Sequence, residues 1–183
     1  MGNQATAEAA PPADPFDDGW RTRDLERWID ALAPDVVLHS PLLSTPFRGR
    51  DVARDLYGVL FERFGEFTIT ERCRSGDTEI VFWRGELRRR TVGGMDVIRY
   101  RPDGMIAEIR VLMRPLTSIG VFAGVVGPAF ARRRSRVAGV ITWLLSQPLG
   151  PLFRVLDRVA PMLLPLGDGS ATGAGRPTNL KLR

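Results

Sequence analysis

The stretch MDVIRYRPDGMIAEIRVLMR, residues Met95–Arg114, carries the strongest signal for the fold. Two apolar runs, Met95–Arg101 and Met105–Arg114, have the composition of β-strands. Between them lies RPDG, Arg101–Gly104, in which proline, aspartate and glycine favour a tight reversal of the chain. The two runs are therefore predicted to pair as an antiparallel hairpin.

Upstream of this hairpin the pattern predicts more strand. Thr78–Arg90 has strand composition, and Gly93–Gly94 is predicted to form the turn that joins it to the hairpin. Before it, Phe67, Ile69 and Cys73 alternate with polar neighbours, as in a strand that is buried on one face. Cys73 is the only cysteine, so no internal disulfide can form, and its thiol is expected to be buried.

Two helices and one short strand are predicted ahead of these strands. The first helix begins near Thr22 and is ended by Pro34, and the short strand covers Asp35–Ser40. The second helix begins at Asp51, as its N-cap, and ends at Gly65. Each helix has one apolar stripe with helical spacing, formed by Leu25, Trp28, Ile29 and Leu32 in the first and by Val52, Leu56, Val59, Leu60 and Phe64 in the second.

Helices followed by a run of antiparallel strands predict an α+β fold, in which a cone-shaped curved sheet wraps over the N-terminal helices. This domain is placed at residues 15–115, after a disordered tail at 1–14. An apolar and amphipathic helical extension is predicted at 116–167, and a flexible tail at 168–183. A chain of 183 residues has no room for a second large domain.

The net charge of +5 comes almost entirely from arginine, since Lys181 is the only lysine, and this bias is typical of a GC-rich bacterial coding sequence. Arginines cluster at Arg88–Arg90 and Arg132–Arg136, but no helix-turn-helix, zinc-finger or aromatic-basic pattern accompanies them. Nucleic acid is therefore not an expected partner. Because Met1–Asp14 lacks the basic and apolar segments of a secretory signal, a cytoplasmic location is expected, with a peripheral membrane location left open.

Three stretches in this order, Arg23–Val36, His39–Arg50 and Asp96–Ile106, resemble the nuclear transport factor 2-like superfamily. That superfamily includes ketosteroid isomerases and SnoaL-like polyketide cyclases. The resemblance covers residues 16–115, and it implies the cone fold with an internal pocket.

The same resemblance implies three isomerase positions: a carboxylate base at Ser40, a tyrosine at Phe16 and an oxyanion aspartate at Asp96. Only the aspartate is present, so the isomerase base and tyrosine are not retained. A carboxyl group that faces an apolar pocket has its pKa raised by burial. The alternative is a structural pairing of this carboxylate with the backbone or with one of three arginines, Arg99, Arg110 and Arg114.

His39, the only histidine, is a candidate base beside Ser40. Strand alternation turns it away from the pocket if Ser40 faces inward, so a packed structural role is favoured and a triad of the two with Asp96 is excluded. One histidine and one cysteine far apart supply too few ligands for a metal site. Neither a metal nor a cofactor is expected.

The pocket lining is assigned to one parity of the last two strands. This face is predicted to be apolar with few polar groups, which suits a flat hydrophobic ligand held by one or two hydrogen bonds. The assigned residues are Ile98, Tyr100, Ile109, Val111 and Met113.

The extension is longer than the cone requires. Val137–Phe153 contains no charged residue, but it is shorter than a spanning helix and is interrupted by prolines and glycine. The helices are predicted to dock on the cone as a lid, to form a dimer element, or to lie in a membrane interface. Membrane or partner contact is assigned to Arg132, Arg133, Arg134, Arg136, Trp143 and Phe153.

Three functions follow from these observations. The first is a protein that binds a small hydrophobic molecule. The second is an isomerase- or cyclase-like enzyme acting on a steroid- or polyketide-type substrate through Asp96, with Ser40 or Tyr100 holding the substrate oxygen. The third is a peripheral membrane or partner-binding protein that acts through its C-terminal helices. A homodimer formed through the open sheet is left open.

Overall fold

The computed structural model of the chain describes residues 15–164, with side chains from Gly19 onward. Six helices and six strands follow one another in this part of the chain. The cone consists of α1 Pro15–Thr22, α2 Leu25–Asp30, β1 Leu32–His39, β2 Phe47–Arg48, α3 Arg50–Arg63, β3 Phe64–Ser75, β4 Thr78–Leu87, β5 Arg90–Tyr100 and β6 Ile106–Arg114. Three helices follow it: α4 Leu116–Arg134, α5 Arg136–Ser146 and α6 Leu149–Leu163.

The strands form one sheet in the order β2-β1-β6-β5-β4-β3. The antiparallel meander from β3 to β6 is as predicted, and β1 is added in parallel along the free edge of β6. Helices α2 and α3 pack inside the curve. The predicted α+β cone with a helical extension is confirmed.

The core lies between the sheet and these helices. Trp28 and Ile29 of α2 are buried against Tyr57 and Leu60 of α3 and against the inner faces of the strands. Helix α4 belongs to the same core, because Phe122, Val125 and Val126 are buried in it. The first helix of the extension therefore completes the cone rather than standing apart from it.

The predicted ends of the N-terminal helices are wrong. The chain forms two short helices, and Leu32 begins β1 because it pairs with Ile106 while Ile106 N–H donates to the Ala31 carbonyl. Sheet pairing thus overrides the helical spacing of Leu32. The second helix has Gly49, not Asp51, as its N-cap, and it ends at Arg63, so Gly65 lies within β3.

The predicted turn at Gly93–Gly94 is also wrong. The chain reverses between Leu87 and Arg90, where Arg88 and Arg89 adopt positive φ values of 48° and 60°. Both glycines lie inside β5. The turn at Arg101–Gly104 is confirmed, with Gly104 N–H donating to the Arg101 carbonyl at 2.9 Å.

The thiol of Cys73 was expected to be buried, but it is exposed, because the far end of β3 is covered by no other element. The tails predicted at 1–14 and 168–183 lie outside the described residues, as do residues 165–167. Within the described part, no helix combines the length and apolar character that crossing a bilayer requires.

Candidate functional site

A cavity of about 60 Å³ lies inside the cone, between α3, α4 and the inner face of the sheet. Its wall is mainly apolar, and seven of its sixteen residues are aromatic. Trp20 stacks on Phe67 at 4.0 Å between ring centroids, and Phe67 lies over Trp83 at 5.5 Å. These rings fill much of the space that the fold encloses, which leaves a narrow closed end.

Asp96 of β5 is the acidic group of this closed end, and its side chain is almost fully buried at 6% exposure. Its Oδ1 accepts a hydrogen bond from Trp83 Nε1 at 3.0 Å, so its partner is an indole and not one of the arginines considered above. Burial raises the pKa of Asp96 to about 7, against the opposing effect of the bond from Trp83. At neutral pH the carboxyl group can therefore donate or accept a proton.

Gly94 explains how the Trp83 indole reaches Asp96. A Cβ atom at Gly94 would lie 2.8 Å from the Trp83 ring and 2.3 Å from the Leu112 carbonyl oxygen. Only glycine leaves room for the ring to cross β5 at this point. The residue that resembled a turn signal is therefore part of the site.

Tyr57 of α3 lines the same cavity and was missed by the sequence analysis. Burial, and then the negative charge of Asp96, raise the pKa of its phenol well above the usual value. The phenol therefore stays protonated and is available as a donor near the carboxyl group. Its spacing from Ala53 and Leu60 placed it on the buried face of α3, which was the available signal.

His39 and Ser40 lie where the cavity opens, at the end of β1. His39 Nε2 is 2.9 Å from Glu108 Oε1, which also accepts from Arg110 Nε at 2.7 Å. Partial burial opposes the charged form of Glu108, but the Arg110 hydrogen bond and charge prevail and lower its pKa. Ser40 Oγ accepts from Leu42 N–H at 3.1 Å. His39 thus pairs with Glu108, but it also borders the cavity beside Ser40, whereas strand alternation was expected to turn it away.

Of the predicted lining residues, Ile109 and Val111 border the cavity with Asp96, whereas Ile98, Tyr100 and Met113 do not. The correction has a packing reason, since the sheet beyond Asp96 is closed by fully buried side chains such as Ile98. Met113 packs on the core. The Tyr100 hydroxyl is directed elsewhere, donating to Glu79 Oε2 at 2.6 Å.

Glu79 is a second buried acid that the sequence analysis missed, with 1% exposure. Its Oε1 lies 3.2 Å from Arg72 Nε, and Arg74 covers the Tyr100 ring at 4.5 Å from the ring centroid. This cluster does not line the cavity around Asp96, and the Glu79 carboxylate is held by Tyr100 and Arg72. We therefore assign it to the structure of the cone.

A larger chamber of about 440 Å³ lies between the mouth of the cone and helices α4 and α5. The inner cavity and this outer chamber are adjacent, because four residues line both spaces: Ser40, Phe47, Leu56 and Phe122. We call these four residues the throat. The outer wall is apolar and is completed by Thr142, Leu145 and Ser146 of α5.

The residues assigned to membrane or partner contact are divided. Arg133 pairs with Glu62 at 2.8 Å, and the stem of Arg132 packs on Gly139. Arg134, Arg136 and Trp143 are exposed, whereas Phe153 is half-buried against Gly120 of α4. Phe153 therefore attaches α6 to the protein.

No group of three or more histidine, cysteine, aspartate or glutamate side chains within residues 15–164 could hold a metal ion. The side chain of Phe16, at the position that the resemblance assigned to a tyrosine, lies outside the described residues. What the geometry offers is a carboxyl group and a phenol at an apolar cavity, with a larger apolar chamber beside it.

The family model for the SnoaL-like domain matches residues 14–109. Among solved structures, the chain is similar to a steroid delta-isomerase from Pseudomonas aeruginosa, with 24% identity, a TM-score of 0.58, and coverage of 67% of this chain and 88% of that one. It is also similar to an uncharacterised protein with a cystatin-like fold from Silicibacter pomeroyi, with 22% identity, a TM-score of 0.55 and coverage of 67% and 84%. These likenesses show the fold alone. No curated protein matches the chain significantly.

Proposed function

Because the chain belongs to the SnoaL-like domain family, we propose that it binds a hydrophobic small molecule of steroid or polyketide type. The observation that carries the proposal is the adjacency of the inner cavity and the outer chamber, which share the four residues of the throat. Family membership gives the cone, and a ligand that passes between the throat residues would occupy both apolar spaces.

The sizes of the two spaces determine how such a ligand would lie. The inner cavity, at about 60 Å³, has room for a ring edge or a small polar head but not for a whole steroid. The outer chamber, at about 440 Å³, is within the range of roughly 300–1,000 Å³ typical of small-molecule sites. The ligand is therefore elongated, with its polar end inside and its apolar body in the outer chamber.

The polar end of the ligand would meet Asp96 and Tyr57. A protonated Asp96 and the phenol of Tyr57 are both donors in an apolar surrounding, where a hydrogen bond to an oxygen gives orientation and selectivity. A ligand with a carbonyl or hydroxyl oxygen at one end fits this arrangement.

Filling the throat should abolish entry to the inner cavity. We expect Ser40→Phe to weaken the binding of progesterone, a flat apolar molecule with terminal carbonyl oxygens, by about tenfold or more, because an overfilled site costs about 1–3 kcal/mol. Titration followed by tryptophan fluorescence measures this, since Trp83 lines the cavity. Native mass spectrometry of the undelipidated chain would report a ligand that is already bound.

The matched control is Ser44→Phe, the same replacement at an exposed position of the same loop that does not line either space. It should bind progesterone as the unmodified chain does. Equal affinity of the Ser40→Phe and Ser44→Phe variants would refute a ligand path through the throat.

A second candidate function, proton transfer on such a substrate, is favoured by the pKa of Asp96 near 7. In its ionised form, which a pKa near 7 makes available at neutral pH, the Asp96 carboxylate would take a proton from one carbon and return it to another, with the Tyr57 phenol stabilising the oxyanion. We expect Asp96→Asn to lower the rate of a Δ5 to Δ4 ketosteroid conversion by a factor of roughly 100 or more while progesterone still binds. A rate that survives this replacement would leave binding as the function.

A further inference from the structure

The polarity of helix α5 is the reverse of that of a helix in a water-soluble protein. Its packed side carries small residues, since Gly139 and Ser146 are buried and Thr142 lies close to Gly127 of α4. Its large apolar residues are exposed, up to 72% for Leu145: Val137, Val140, Ile141, Leu144 and Leu145. Helices in lipid adopt this arrangement, in which small residues lie between the helices and large apolar residues face outward.

Helix α6 repeats the arrangement. It packs on α4 where Phe153 and Gly150 lie against Gly120, and none of its residues is buried. Thirteen of the seventeen large apolar side chains that are exposed within residues 15–164 lie between Val137 and Leu164. So many exposed apolar side chains, concentrated on two consecutive helices that both pack on α4, indicate a contact with an apolar phase.

The charge of the extension identifies that phase. Residues 116–164 contain six arginines and only one acidic residue, Asp157. Two copies of this surface would bring positive charges together, whereas an anionic headgroup layer attracts them. Arg134 and Arg136 are exposed at the junction of α4 and α5, directly before the exposed apolar run begins.

The lengths of α5 and α6 limit how deeply these helices can enter a bilayer. With 11 and 15 residues, α5 and α6 are about 16 Å and 22 Å long, shorter than the roughly 30 Å of a hydrocarbon core. We propose that α5 and α6 form a docking surface that lies in one leaflet of an anionic bilayer, with the arginines at the headgroups. Trp143, exposed on α5, has the amphipathic character of residues found at that level.

Docking would place the outer chamber beside the bilayer, because Thr142, Leu145 and Ser146 of α5 are part of its wall. A hydrophobic ligand could then pass from the leaflet into the outer chamber without crossing water. This route rests on the proposed function, whereas the docking itself does not.

Co-sedimentation of the full chain with vesicles tests the docking. We expect binding to vesicles of equal parts phosphatidylcholine and phosphatidylglycerol, and weaker binding to phosphatidylcholine alone or in high salt. Leu144→Gln combined with Leu156→Gln removes two exposed apolar side chains and should weaken binding about tenfold or more. Arg134→Gln combined with Arg136→Gln should do the same on anionic vesicles only.

Matched controls lie on the outer face of the sheet. Phe82→Gln combined with Leu112→Gln removes two apolar side chains that are also exposed. Arg84→Gln removes an exposed positive charge. Both variants should bind the vesicles as the unmodified chain does. The Ser40→Phe variant should dock normally and yet bind progesterone about tenfold or more weakly, which separates a failure of docking from a failure of the cavity. The proposal is overturned if the chain ignores both kinds of vesicle. It is overturned as well if the combined Leu144→Gln and Leu156→Gln replacements leave vesicle binding unchanged. The same holds if they only convert a dimer of the chain to monomers and do not weaken vesicle binding.

Discussion

Replacing Asp96 by asparagine should raise the free energy of unfolding at pH 8 by about 2–4 kcal/mol and change it little at pH 4. The pKa of Asp96 is raised from 3.8 to about 7 by burial, and this difference corresponds to about 4 kcal/mol. Asparagine keeps an oxygen that can accept from Trp83 Nε1, but its buried NH₂ group needs partners of its own, which lowers the gain.

The sign follows from proton linkage. Well below pH 4 the Asp96 carboxyl group is protonated in both the folded and the unfolded chain, so its burial does not change the free energy of unfolding through ionisation. As the pH rises from about 4 to 7, the unfolded chain loses this proton and the folded chain keeps it, so the unmodified protein loses stability over that window. Above about pH 7 the loss is complete and constant.

Urea unfolding of both chains at pH 4, 6 and 8 measures the effect. The difference between them should grow with pH and level off above 7. Asp55→Asn, which removes an exposed carboxylate of α3, is the matched control and should change stability by no more than about 0.5 kcal/mol. A constant difference between the Asp96→Asn variant and the unmodified chain would show that the Asp96 carboxyl group is not held protonated.

A cost of this size at a single residue also bears on function. Acids whose burial destabilises the fold are concentrated at sites that use the proton. Glu79 is just as buried, but an arginine and a tyrosine compensate its charge. Asp96 has only an indole and an apolar cavity, and this contrast separates the candidate site residue from the structural one.

The sequence predicts the meander because each strand carries its own alternation and the turn at Arg101–Gly104 carries its own chemistry. It does not predict the position of the preceding turn, because Gly93–Gly94 is the stronger local turn signal and only the pairing of β4 with β5 places the turn at Leu87–Arg90. Arginines at positive φ are uncommon outside such a tight turn. Gly94 is needed inside β5 for a clearance from Trp83 and Leu112 that no local sequence pattern reveals.

The same limit applies to the site. Asp96 could be predicted from the resemblance, whereas Tyr57 joins it only after α3 is packed across the sheet. The outer chamber depends on where α4 and α5 settle against the cone. An amphipathic helical extension was predicted, but the sequence does not show that the apolar side chains of α6 face away from the protein while Phe153 contacts Gly120.

Gly94→Ala should destabilise the fold by about 2–3 kcal/mol and displace the Trp83 indole from Asp96. The added Cβ would meet the Leu112 carbonyl oxygen at 2.3 Å, a backbone atom that cannot move without separating β5 from β6. Overpacking of this kind typically costs about 1–3 kcal/mol. Urea unfolding gives the stability, and the fluorescence of the folded variant reports the altered surroundings of the indole.

Gly93→Ala is the matched control, because it makes the same change one residue earlier in the same strand. Its Cβ would come no closer than 3.4 Å to the Trp83 carbonyl oxygen, which is ordinary contact, and alanine loses less backbone entropy on folding than glycine. Its stability should therefore be unchanged or raised by about 0.5 kcal/mol. If the two alanine variants were equally stable, the clearance at Gly94 could not be what holds Trp83 over β5. The hydrogen bond to Asp96 would then need another explanation.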